Sequence, residues 1–368
     1  MKKINLIKTV IIIMVATLSL SFLSSCSKEN DKDNNSKSFY YKVSSRIPYN
    51  KITVIDKGFS GRNGSNLMLS FADMNTCNFV LDELDRQVRE YDSVFLSQFD
   101  SLNNIEVINN VAEEVNYDEN QPLYEFADFY TMYSLLKNIQ EQEDIFLQQD
   151  EQNIEDDPDN HFIVENQVRA ILNSDCEVKI ADTIYKLTEN GYYAIPNGNL
   201  KSLKNLSDNI DDNGKTVYLP NVIFCGDNDD IRASDCRSNK RNYGYKKSSD
   251  GNYRIKWVVS HWTHPWERRV IAKIDNYKKR KPSSNRWKKV KANSFCKVYG
   301  YVSAVSSNGE ANCSTQFNFN PSNLGLNSNG PVKSHEHKII VQTKTTSTWV
   351  KGNFYGVAGI EHDQTLTW

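Results

Sequence analysis

Apolar residues recur at helical spacing in the first half of the chain. Between residues 71 and 99 they stand three and four positions apart, at Cys77, Leu81, Leu84, Val88, Tyr91 and Phe95. This spacing places them on one face of an amphipathic helix. A second stripe of the same period runs through residues 121–149 and predicts another helix, with Pro122 in its first turn.

The pattern changes to alternation after a short predicted helix at residues 162–172. The stretch CEVKIADTIYKLTENGYYAI, residues 176–195, alternates apolar and polar positions and carries turn signals at 181–182 and 189–191. This predicts a small meander of strands. From residue 253 onward, short alternating runs separated by turns indicate a β-sandwich.

The fold class predicted from these patterns is α+β, with a helical and meander N-terminal region followed by a C-terminal β-sandwich-like domain. We place the N-terminal region at residues 39–206 and the sandwich at 253–368. Residues 207–252 are rich in Asn, Asp, Ser and Gly, and they include Cys225 and Cys236. Such a composition indicates a linker, or a loop stapled by those two cysteines.

The N-terminus has the pattern of an export signal. Three lysines at positions 2, 3 and 8 precede an apolar run over residues 9–23, which is short for a membrane-spanning helix. The end of the run, Leu23-Ser24-Ser25-Cys26, resembles the bacterial lipobox. That resemblance implies cleavage after residue 25 and acylation of Cys26, with palmitate-type chains anchoring the protein in a membrane. An ordinary secretory signal with an incidental cysteine is the alternative.

The polar stretch at residues 26–38, which begins with Cys26, has no apolar residue after the cysteine and predicts a disordered tether. Further along, the motifs PLYEF, DPDNHF, VKI, IYKL and GYY lie within residues 67–206. They resemble a set of uncharacterised Bacteroidetes lipoproteins. The resemblance implies an exported architecture and an outer-membrane lipoprotein of the cell envelope, on its surface or periplasmic face, and it implies no activity.

Charge is distributed unevenly along the chain. Residues 82–160 contain 22 acidic and 3 basic side chains, whereas residues 232–297 contain 20 basic and 4 acidic ones. Such an imbalance marks a partner surface, an attraction between two parts of one molecule, or two solvated faces. The sequence leaves these three interpretations open.

The strongest basic stretch, residues 277–291, is a candidate surface for polysaccharides or other anionic macromolecules. An exported lipoprotein seldom meets the genome, which disfavours nucleic acid as its partner. A solvated hairpin is the plain alternative. The candidate binding residues are Lys279, Arg280, Lys281, Trp287, Lys288 and Lys289.

A zinc site is a second hypothesis. His335 and His337 are two positions apart on a predicted strand, so both imidazoles share a face, with His362 or His264 as a further ligand. Glu336, Glu361 and Asp363 are candidates for the paired carboxylates of a hydrolase, although the chain contains no GxSxG, HExxH or GxGxxG motif. The sequence therefore favours a non-enzymatic envelope binding protein without a cofactor. A glycan-active or metal-dependent hydrolase and a structural component of an envelope complex are the alternatives.

Overall fold

The computed structural model describes residues 39–61, 64–209, 216–220, 240–263, 265–266, 268–304, 316–318, 331–341 and 345–367. They belong to one compact unit that begins at Ser38. None of the helices in these ranges is both long enough and apolar enough to cross a membrane.

Six α-helices lie in the described part of residues 39–220, which we call the first half. They are α1 (Met74–Leu96), α2 (Ile105–Glu114), α3 (Gln121–Phe129), α4 (Leu135–Phe146), α5 (Asn166–Ile171) and α6 (Leu200–Ser207). Helix α1 begins at Asp73, whose side chain accepts a hydrogen bond from the Thr76 amide. Its stripe, including Cys77, Leu84 and Phe95, is buried, which confirms the helix predicted over residues 71–99.

The single helix predicted over residues 121–149 is wrong, because the structure has two helices there. Helix α3 ends at Phe129, and Thr131 adopts a positive φ of 52°, which no residue of a right-handed helix has. Ser134 is extended and its hydroxyl caps the first turn of α4. The apolar stripe continues across this break because both helices face the same core.

Six strands form the first sheet, in the order β1 to β6. They are β1 (Ile52–Asp56), β2 (Leu67–Phe71), β3 (Glu177–Ile180), β4 (Thr183–Thr188), β5 (Gly191–Ile195) and β6 (Val217–Pro220). The β2–β3 pair is parallel and the other pairs are antiparallel. Strands β3 to β5 form the meander predicted from the alternation, with Ala181 at a positive φ in its first turn.

The second half of the chain contributes two further sheets. Their strands are β7 (Lys240–Lys247), β8 (Tyr253–Thr263), β9 (Arg268–Lys279), β10 (Trp287–Lys289), β11 (Phe295–Ala304), β12 (Gln316–Asn318), β13 (Ser334–Val341), β14 (Thr345–Tyr355) and β15 (Glu361–Thr367). One sheet has the order β10-β9-β8-β7, with β13 also paired to β9, and the other has the order β12-β11-β14-β15. The predicted α+β class with a C-terminal sandwich-like region is confirmed.

The described residues of segment 207–252, interpreted as a linker or stapled loop, include one strand of each half. Strand β6 pairs with β5 of the first sheet, and β7 pairs with β8 of the sandwich. Cys225 and Cys236 lie outside the residues that the structure describes. The two described ends of the segment therefore belong to the two sheets.

The two sandwich sheets pack closely at Gly352 on β14. A Cβ atom there would lie 2.5 Å from Cγ2 of Val259 on β8 and 2.8 Å from the ring of Phe354. The surrounding core is apolar and includes Ile255 and Val350. Glycine at this position lets the two sheets approach each other.

Candidate functional site

One face of the β7–β8–β9 sheet is charged although it is buried. Along β8, Ile255 and Trp257 enter the sandwich core, so Lys256 points to the opposite face. Along β9, the same alternation turns Lys273 to that face. The buried cations of this face are Arg254, Lys256, Arg269 and Lys273.

Asp159, from the first half of the chain, lies at the centre of this face. Its Oδ2 atom is 3.1 Å from Nζ of Lys256 and 3.3 Å from Nζ of Lys273, and its carboxylate also pairs with Arg169. Asp157 adds a second contact to Lys256 at 2.9 Å. Burial alone would raise the pKa of Asp159, but the three cations outweigh it and hold this pKa well below its usual range.

Further ion pairs join the acidic segment to the basic one. They are Glu165–Arg269, Glu143–Lys289, Asp92–Lys291 and Glu113–Lys288. Burial alone would lower the pKa of Lys289, but the Glu143 carboxylate, 2.8 Å away, leaves it well above its usual range. The uneven charge of the sequence is thus an attraction between two parts of one molecule.

Most of the predicted basic binding residues already have partners inside the molecule. The Trp287 ring is buried and lies 4.4 Å from the guanidinium of Arg254, and Nζ of Lys279 is 5.8 Å from the same ring. Lys288 and Lys289 form the ion pairs given above. In contrast, Arg280 and Lys281 are exposed, and no carboxylate of the described residues lies within 4 Å of either cation.

The predicted zinc ligands occupy different parts of the sandwich. Nδ1 of His337 on β13 accepts a hydrogen bond from the Val298 amide of β11 at 3.2 Å. The ring of His362 on β15 stacks on Trp257 with centroids 4.3 Å apart. The side chain of His335, and His264 altogether, lie outside what the structure describes.

Among the described residues, no group of three or more His, Cys, Asp or Glu side chains is placed to hold a metal ion. The carboxylates of the hydrolase hypothesis are also separated. Glu336 lies on β13 opposite Lys273 of β9, whereas Asp363 lies on β15 of the other sheet and accepts a hydrogen bond from Asn353 at 2.6 Å. Glu336 and Asp363 therefore lie on different sheets.

A cleft of about 470 Å³ opens where the helices meet the sandwich. Its helical wall comes from α3, α4 and the loop before α3, and its sandwich wall comes from β9, β10, β13 and the adjoining loops. The side chains of the helical wall are mainly amides and carboxylates around Tyr124. The amides are Asn120, Gln121, Gln140, Gln148 and Asn166.

Asp275 on β9 lines this cleft and is fully buried. Neither of its carboxylate oxygens has a hydrogen-bond donor among the described residues. Nζ of Lys273, 4.0 Å from Oδ2, is in ion-pair contact only. A buried carboxylate without donors is costly, so Asp275 is an acceptor that a bound molecule can satisfy.

Glu119, on the helical wall, has a raised pKa. Burial raises the pKa of Glu119 to about 7, Lys291 opposes this rise, and Asp92 adds to it. Glu119 therefore changes its charge near neutral pH. The cleft thus combines a titrating carboxyl, several amides and an aromatic ring at one surface.

Asp275 and Asp159 were not among the sequence candidates. The run YRIKWVV alternates charged and apolar residues in the way that a half-exposed strand does. The excess of acids in residues 82–160 was the signal that these cations would find partners within the chain.

Cys26, the signal segment 1–25 and the tether lie outside the described residues. No family model, no curated protein and no solved structure matches this chain.

Proposed function

We propose that this protein is a lipid-anchored lipoprotein of the bacterial cell envelope that binds a saccharide in the cleft, without chemistry. The observation that carries the proposal is the lining of the cleft, which combines amides, carboxylates and Tyr124 with the buried carboxylate of Asp275, whose oxygens have no hydrogen-bond donor in the part of the chain that the structure describes. Sugar hydroxyls both donate and accept hydrogen bonds, and amides and carboxylates complement them. A half-buried tyrosine ring adds an apolar face for a pyranose.

The charges of the sandwich favour the cleft over the hairpin as the binding surface. Lys288 and Lys289 are engaged with Glu113 and Glu143, and the ring of Trp287 is buried. A macromolecular anion would have to compete with these internal carboxylates. Arg280, which lines the cleft and is exposed, is available to a ligand that enters there.

The proposed location rests on the N-terminal sequence. A basic segment, an apolar run and the lipobox-like Leu23-Ser24-Ser25-Cys26 occur in the order that lipid anchoring requires. We expect Cys26→Ala to release the protein from membranes in cell fractionation. Membrane retention of Cys26→Ala would contradict the anchor.

A binding experiment on the purified full-length chain tests the function. The chain is screened against an array of neutral, amino and acidic glycans, and hits are titrated by calorimetry. Gln140→Ala removes an amide from the cleft wall and is expected to weaken binding about fivefold, the effect of losing about 1 kcal/mol of hydrogen bonding.

Gln142→Ala is the matched control, because Gln142 lies on the same helix, is exposed and does not line the cleft. It is expected to leave the dissociation constant unchanged. Equal losses in the two variants, or no bound glycan on the array, would contradict saccharide binding at the cleft.

A further inference from the structure

The two walls of the cleft carry opposite charges. Five carboxylates line the helical side, at Asp118, Glu119, Asp128, Glu141 and Asp144. Asp128 pairs with Lys137 at 3.4 Å, and Glu141 accepts from the Tyr133 hydroxyl at 2.7 Å. Glu119 interacts electrostatically with Lys291 and Lys333 of the sandwich side. Among the described residues, no cation of the sandwich lies within 4 Å of these five carboxylates.

The sandwich side presents four cations, at Arg280, Lys288, Lys289 and Lys333. Lys288 and Lys289 have carboxylate partners that do not line the cleft. Nζ of Lys333 donates to the backbone carbonyl of Tyr117 at 2.9 Å, and the described residues place no carboxylate within 4 Å of Lys333 or Arg280. Positive charge is therefore available on this wall.

Asp275 is an independent sign that a ligand belongs here. It is buried at the sandwich side of the cleft, and both of its oxygens lack donors among the described residues. A ligand that spans the cleft can satisfy Asp275 with a hydroxyl and meet each wall with a charge of the opposite sign.

We propose that the bound saccharide is dipolar and carries both an amino group and an acidic group. This inference rests on the proposed saccharide-binding function. The ammonium lies toward the carboxylates of the helical wall and the acidic group toward Arg280 and Lys333. A polyanionic glycan is repelled by the carboxylates of the helical wall, and a neutral glycan forms no ion pair with either wall, so each binds more weakly.

Four methyl glycosides that differ only in charge test this inference on the full-length chain. They are the glycosides of glucose, glucosamine, glucuronic acid and 2-amino-2-deoxyglucuronic acid. The last, which carries both groups, is expected to bind at least tenfold more tightly than either singly charged sugar. Its affinity should fall as salt rises, because charge pairing at an open cleft is screened.

Substitution of one exposed side chain on each wall tests which wall each charged group of the sugar faces. Arg280→Gln should remove the gain in affinity that the sugar carboxylate gives and leave the gain that the amine gives. Asp144→Asn should remove the gain from the amine and leave the gain from the carboxylate. Asp275→Asn should weaken all four sugars alike, with thermal unfolding measured to verify that the variant folds.

The outcomes separate the two proposals. If glucose or other neutral glycans bind as tightly as the dipolar sugar, or if neither charge variant alters the preference, the dipolar ligand is refuted while saccharide binding stands. If neither these sugars nor any array glycan binds, both the proposed function and the inference are refuted.

Discussion

Asp159 is one carboxylate that three buried cations share. Lys256, Lys273 and Arg169 all lie within ion-pair distance of it, and none of the four side chains is more than 4% exposed. Removing the common partner would leave cations buried without compensation. Such a loss is more damaging than the net contribution of any single pair.

We predict that Asp159→Asn destabilises the protein by about 3 to 5 kcal/mol, the range for breaking a buried ion pair from one side. Urea unfolding measures the change. Asp156→Asn, three residues away and exposed, is the control and should unfold with the wild-type midpoint. Equal midpoints for all three proteins would show that the cluster contributes no stability.

The side chain of Glu336 predicts that stability depends on pH. Burial raises its pKa to about 7, and the nearby Glu165 carboxylate adds to the rise. A carboxyl whose pKa is higher in the folded than in the unfolded protein destabilises the folded state as pH rises above its unfolded pKa. The free energy of unfolding should therefore fall as pH rises from about 4.5 toward 7.

Glu336→Gln should remove this loss. We expect the variant to gain about 1 to 2 kcal/mol over wild type at pH 8 and nothing at pH 4.5. Chemical unfolding at the two pH values measures this difference. Glu361→Gln, an exposed change on the other sheet, is the control. A gain of the same size at both pH values would mean that ionisation of Glu336 is not its cause.

At the scale of secondary-structure elements, the sequence predicts correctly the helices and strands whose local signals agree with one another. Helix α1 has a capping Asp73, an uninterrupted stripe and no glycine, and it was found. The break between α3 and α4 was missed because Thr131 carries no sequence signal for positive φ. Tertiary packing imposes that conformation, and periodicity cannot report it.

The charged face of β8 and β9 could not be predicted for a similar reason. Lysines that alternate with apolar residues indicate a solvated face when a strand is read alone. Only the packing of the first half on this face reverses that expectation. The cleft was likewise beyond the sequence, since its walls come from segments more than 100 residues apart.

The contact between the two sandwich sheets yields a prediction at the same scale. Gly352→Ala should destabilise the protein by about 1 to 3 kcal/mol, because the new methyl group meets Val259 and Phe354 in a packed core. Thermal unfolding of the variant measures the loss.

Val259→Ala makes room for that methyl group. The double variant should therefore lose less stability than the sum of the two single changes. Strict additivity would show that the two positions do not touch.

At the scale of the whole molecule, the two halves depend on each other. The sandwich alone would expose Arg254, Lys256, Arg269 and Lys273 on one sheet face. The first half alone would lose the partners of Asp159, Glu165 and Glu143. We therefore expect the halves to unfold as one cooperative unit despite their different architectures.

We predict that fragments 39–220 and 240–368 do not unfold cooperatively when each is produced alone. Co-expression should give a complex with a single transition close to that of the intact chain. Circular dichroism on heating measures both. A native-like transition in the isolated sandwich would contradict the interdependence.

The buried ion pairs between the two halves, which we call the charge layer, also constrain how the sequence can evolve. Recombination that exchanges one half for that of a divergent relative would break several ion pairs at once, so the halves should be inherited together. A charge lost on one side favours a compensating change on the other, and reversal of Glu165 with Arg269 is the simplest exchange that keeps the balance. The layer thus ties the mutational history of the sandwich to that of the helices that cover it.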